Sequence, residues 1–119
     1  MSDKAYHKLF VWQKAHNFVK EIYKITDDFP KRELFGLTSQ LRRAAVSVPA
    51  NIVEGHTRTS RKDFLRYLNI ALGSLTECEY YLELTLELNF IREEDYLKIE
   101  NLRKEVGYLL VKFIKGVRR

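Results

Sequence analysis

Apolar residues recur along this chain at alternating steps of three and four, the spacing of one helix face, in four successive segments. The first runs from about Leu9 to Asp28, with a stripe of Trp12, Ala15, Val19, Ile22, Thr26 and Phe29 widened by Val11, Phe18 and Ile25. Pro30 ends it, because the residue before a proline is pushed out of the helical region. The second spans about 34–56 on Leu37, Leu41, Ala45, Val48 and Ile52, with Gly55 as its expected terminator. The third, about 60–89, opens on Ser60-Arg61-Lys62-Asp63, which resembles a capping box, and continues on Phe64, Leu68, Ala71, Leu75, Cys78 and Leu82. The fourth, about 92–116, has Glu93, Glu94 and Asp95 at the positive end of its dipole and a stripe of Ile99, Leu102, Val106, Leu109 and Phe113. Four amphipathic helices on short links predict an all-α fold, an antiparallel up-down-up-down four-helix bundle, as one domain over 1–119.

The second segment carries a second pattern. On a helical wheel Gln40, Arg43, Ser47, Asn51, Glu54 and Arg58 fall on one line, roughly 80–160° from the core stripe. Small residues (Ala44, Ala50 and Gly55) flank it, and Pro49 interrupts it. A mid-helix proline costs on the order of 3 kcal/mol, so a kink is expected there, with the Ala45 carbonyl satisfied by a side chain or water. Two readings fit this line: an ordinary polar outer face, or a packing surface for another subunit.

Charge changes the picture locally. The net charge is +5, and residues 31–66 hold eight Lys and Arg against three Asp and Glu, which is the whole excess. Arg42, Arg43, Arg58, Arg61, Lys62 and Arg66 are therefore the candidates for neutralising the phosphates of RNA or DNA, which positions a polyanion without reading its sequence. Tyr67 and Phe64 are candidates for stacking on bases, with Phe64 better placed for the core. A solvated basic face is the alternative. The chain has one cysteine, so no internal disulfide is possible, and Cys78 falls on a core stripe as a small buried hydrophobe. MSDKAYHKLF lacks the apolar region of a signal peptide, and no apolar run approaches a membrane span. A cytoplasmic protein with no membrane partner is the expectation.

Catalytic and metal chemistry finds no purchase. His7, His16 and His56 form no H-E-x-x-H, and neither Gln13 nor Val53 supplies the Glu-x-x-His that a di-iron bundle needs. Glu79, Glu83 and Glu87 lie at four-residue steps as an acidic stripe, and with Glu77 they read as solvated rather than catalytic. The five glycines are scattered, without a phosphate-binding loop. No catalytic residue, metal site or cofactor is expected.

LFVWQKAHNFVKEIYKIT (9–26), FGLTSQLRRAAVSVPANIVEG (35–55) and RKDFLRYLNIALGSLTECEYYL (61–82) together resemble the four-helix bundle proteins encoded in intervening sequences of bacterial 23S rRNA genes. The likeness spans nearly the whole chain and is weakest at the ends and in the fourth helix. Val53 departs from it, standing where an alanine is expected before Glu54-Gly55. The resemblance implies a homopentamer of bundles around a central channel. It also implies kinship with accessory proteins of diversity-generating retroelements, which bind nucleic acid through basic surfaces and partner a reverse transcriptase. Fold carries over more readily than function. On this reading Gln40, Ser47, Asn51 and Glu54 are the expected subunit-interface residues, in the heterologous contact of a ring. The expected partners are other copies of the chain, then RNA or DNA, and a reverse transcriptase or other nucleic-acid enzyme. The competing expectation is a protein-directed adaptor that binds no nucleic acid.

Overall fold

A computed structural model describes residues 4–119. The first three residues of the expected 1–119 domain, and of the stretch MSDKAYHKLF, lie outside the described residues. Four helices carry the chain: α1 (Phe10–Thr26), α2 (Leu37–His56), α3 (Arg61–Glu87) and α4 (Glu93–Arg118). Short 3-10 turns at Ala5–Lys8 and Lys31–Glu33 precede α1 and α2, and no strand occurs among the described residues.

α1 and α3 each pack against both α2 and α4. Pairing is antiparallel. Between α2 and α3, Arg43 meets Glu77, Ser47 meets Ser74 and Gly55 meets Tyr67, so numbers rise on one helix as they fall on the other. Glu79 with Arg103 and Leu75 with Gly107 show the same for α3 and α4. The two ends of the bundle are thereby defined. Phe29 and Phe90, 5.9 Å apart, join the α1–α2 and α3–α4 connections at one end. Phe64 and Phe113, 5.8 Å apart, join the start of α3 to the last turns of α4 at the other.

Local chemistry explains the boundaries. α2 begins at Leu37 rather than near Leu34, because the Glu33 carboxylate accepts from the Leu37 amide at 3.1 Å and caps the helix from the preceding turn. Ser60 caps α3, its Oγ accepting from the Asp63 amide at 3.0 Å. The Asp63 carboxylate does not complete the box and lies instead 3.9 Å from Arg66 Nε. α3 ends in a Schellman motif: Asn89 is left-handed (φ 62°), its amide reaches the Leu86 carbonyl and the Phe90 amide reaches that of Thr85. Gly55 does not terminate α2. It is helical and buried, and a Cβ there would lie 2.9 Å from both Phe64 Cδ1 and Tyr67 Cβ. Its role is to let α3 approach.

The core follows the expected stripes with a rotation. Every expected α3 position is buried except Phe64, which is half-buried. In α1, Val11 and Phe18 take core places while Trp12 and Val19 sit half-buried toward α2. In α4 the buried set is Ile99, Val106, Leu110 and Ile114, with Leu102, Leu109 and Phe113 half-buried. Glu100 and Arg103 turn inward as well, at 7% and 8% exposure. Arg103 donates to both Glu100 carboxylate oxygens, at 2.6 and 2.9 Å, and reaches Glu79 on α3 at 3.3 Å. That hydrogen-bonded partnership offsets the cost of burying charge. No helix among the described residues is long and apolar enough to cross a membrane.

Candidate nucleic-acid interface

The antiparallel fold redistributes the charge that the linear sequence concentrated in 31–66. Arg58, Arg61, Lys62 and Arg66 come together where α2 gives way to α3. Arg42 and Arg43 do not join them. Fourteen residues separate Arg42 from the end of α2, roughly 20 Å along the axis at 1.5 Å per residue. Both are already engaged. Arg42 donates to Thr26 Oγ1 at 2.8 Å and Asp27 at 3.1 Å, and lies over the Tyr23 ring. Arg43 donates to Glu77 at 3.2 Å, which raises its pKa further.

In their place the fold brings cations from the far end of the sequence. The last turns of α4 carry Lys112, Lys115, Arg118 and Arg119, and the Phe64–Phe113 contact sets them at the same end as Arg61 and Lys62. Lys4 precedes and Lys8 closes the 3-10 turn that leads into α1 at that end. Among the described residues, Arg61, Lys62, Lys112, Lys115, Arg118 and Arg119 make no ion pair within the chain. Toward the other end Lys24, Arg42, Arg92 and Arg103 pair with Glu21, Asp27, Asp95 and Glu100. Lys31, Arg32 and Lys98 make no ion pair among the described residues, and the acids Asp27, Asp28, Glu33, Glu87, Glu93, Glu94 and Asp95 offset the cations there. The bundle thus has one basic end. An up-down topology alone places the end of α4 beside the α2–α3 turn, so the signal was present in the sequence.

Two guanidinium groups bracket one ring at this end: Arg58 lies 4.9 Å and Arg66 4.5 Å from the Tyr67 centroid. Arg58 also pairs with Glu54 and donates to Tyr67 Oη at 3.0 Å. Phe64 is half-buried between His56 and Phe113 and packs on the core. The α2 line of Gln40, Ser47, Asn51 and Glu54 faces the α2–α3 seam. Asn51 Nδ2 donates to the Ser47 carbonyl and hydroxyl at 2.8 and 2.9 Å, and Ser74 on α3 donates to Ser47 Oγ at 2.8 Å. Gln40 accepts from Arg43 Nε at 3.2 Å. All four residues have partners inside the chain.

On the adjacent face, between α1 and α2, lies an open trough of about 320 Å³ lined by Tyr6, Trp12, His16, Val19, Val46, Pro49, Ala50 and Val53. Pro49, which the sequence marks as costly, is buried there within an unbroken α2. No group of His, Cys, Asp and Glu among the described residues is arranged to hold a metal ion. Burial pushes the Cys78 thiol up to about 12.

Residues 7–112 match the sequence model of the family described as 23S rRNA-intervening sequence protein. The chain belongs to that family. A crystal structure of a protein with unknown function from the S23 ribosomal protein family of Bacteroides thetaiotaomicron superposes with a TM-score of 0.82 at 35% identity, covering 88% of this chain and 95% of that one. No curated protein matches the chain. For this 23S rRNA-intervening sequence family protein, the all-α four-helix fold is shared with a solved relative, and that relative's description assigns no activity.

Proposed function

We propose that this protein is a non-enzymatic, oligomeric scaffold that binds RNA or DNA through the basic end of its bundle. The observation that supports this is the convergence of Arg61 and Lys62 with the α4 tail, Lys115, Arg118 and Arg119, without internal partners. Cations left unpaired together attract polyanions, and phosphates released from their counterions supply sequence-independent affinity. The family resemblance adds the ring: a homopentamer would repeat each basic end five times around one axis and multiply the local field. The line Gln40, Ser47, Asn51 and Glu54 keeps exposed edges at the α2–α3 seam and is proposed to serve that subunit contact. The partner enzyme of such a scaffold would be one that works on nucleic acid, a reverse transcriptase by the resemblance, in the cytoplasm.

Anisotropy of a labelled oligonucleotide, read across salt concentrations, tests the binding. Four neutralised phosphates on a single strand predict that affinity falls roughly sevenfold for each doubling of salt. Affinity that is absent, or insensitive to salt, contradicts the proposal. Light scattering tests the ring, with the expected mass near five times the 14.2 kDa chain and a monomer as the contrary result.

One observation favours the adaptor reading. Phe35 is 93% exposed in the α1–α2 connection, beside exposed Leu34 and Tyr23. Such a cluster fits a protein partner. Under that reading Phe35→Ser abolishes partner binding, and no nucleic acid binds at any salt.

A further inference from the structure

The rings around Trp12 form a ladder, His7–Trp12–His16, with Tyr6 packed edge-on against both His7 and Trp12. His16 stacks on the indole with centroids 4.8 Å apart and planes 8° apart. His7 stacks on it at 5.0 Å and 29°, and Tyr6 meets it edge-on at 5.0 Å. His16, at the end of the ladder, is exposed and lines the trough together with Pro49, Ala50 and Val53. The α2 side of the trough is apolar and rigid, because Pro49 is locked inside α2. Lys8 and Lys20 lie one turn or two along the chain from the ladder, both exposed and without an ion pair among the described residues.

Exposed aromatic surface lining an apolar trough, with unmatched cations close by in the chain, has the chemistry of a base-stacking platform beside a phosphate track. A duplex cannot use it, since its bases are stacked on one another. We infer that the trough between α1 and α2 takes an unstacked base, so that the protein binds single-stranded nucleic acid in preference to duplex. The inference rests on the nucleic-acid reading above and narrows it. The basic end supplies phosphate contacts to any strand; the ladder supplies the preference.

The chain has one tryptophan, so its fluorescence reports on this trough alone. The experiment titrates the full chain with a single-stranded oligonucleotide, the duplex of equal length, and an abasic deoxyribose-phosphate strand of equal charge, at one salt concentration. The expected result is that the single strand binds about tenfold more tightly than the other two and alone changes Trp12 emission. Ala50→Leu, a change at an exposed position that fills the trough, is expected to remove that preference and leave duplex affinity unchanged. His16→Ala provides the same comparison by removing the exposed ring. Equal affinity for all three ligands with unchanged emission overturns the inference while the nucleic-acid reading stands. Binding of none of them overturns both.

Discussion

Gly55 shows how a single residue can be misread from sequence and what the structure makes of it. At the end of an apolar stripe it looks like a terminator, yet its missing side chain is where Phe64 and Tyr67 press against α2. Gly55→Ala drives a Cβ against the Phe64 ring and against Tyr67 Cβ, which is fixed to the α3 backbone, and overpacking of this kind costs about 1–3 kcal/mol. The expected outcome is a lower midpoint in urea with an unchanged slope, and an unchanged midpoint would contradict the close approach. Cys78 makes a second residue-scale prediction. Burial raises its pKa from an ordinary 9.0 to about 12, with repulsion from Glu77 adding to the effect. Above pH 9 the unfolded chain loses this proton while the folded chain keeps it, so the contribution is complete below pH 9 and is lost as pH rises toward 12. Cys78→Ala should therefore lose less stability than the parent between pH 9 and 11, measured by urea titration at each pH. Parallel losses would place the thiol in a more solvated setting.

Elements were legible where the chain repeats its own signal. Ser60 and the apolar stripe of α3 predicted the start and buried face of that helix closely. α4 was rotated, because its inward Glu100 and Arg103 carry no apolar signature and are admitted only by pairing with each other and with Glu79. The start of α2 was displaced because a cap four residues upstream, Glu33, is not a pattern that apolar spacing can show. The polar line on α2 was read correctly as lying off the core. What the wheel could not show is that α3 meets it, through Ser74 and Glu77. That matters for any interface experiment. Asn51 holds Ser47 within the chain, so Asn51→Ala is expected to lower stability by about 1 kcal/mol, and the melting temperature by about 4 °C, in whatever assembly forms. A change in mass without that change in melting would instead assign Asn51 to the subunit contact alone.

At the scale of the molecule, composition sets the amount of charge and the fold sets its place. Windows along the chain put the excess in 31–66, but that span reaches from one end of the bundle to the other. Folding removes Arg42 and Arg43 into pairs with Asp27 and Glu77 and brings in Lys112, Lys115, Arg118 and Arg119. The trough was illegible for a related reason: Trp12, His16, Pro49 and Val53 lie on different helices, and only antiparallel packing of α1 on α2 assembles them.

The central claim is that nucleic acid binds at the basic end. Its most direct test compares two sets of charge reversals, each read by oligonucleotide anisotropy at one low salt concentration. The first set is Arg61→Glu, Lys62→Glu and Lys115→Glu at the basic end, and the second is Lys24→Glu, Lys31→Glu and Lys98→Glu toward the opposite end, where Phe29 meets Phe90. All six positions are exposed, and the two sets change the net charge equally. The account predicts that the first set weakens binding by more than tenfold and the second by less than threefold. Equal losses from the two sets would reduce the effect to net charge and contradict the assignment of the site.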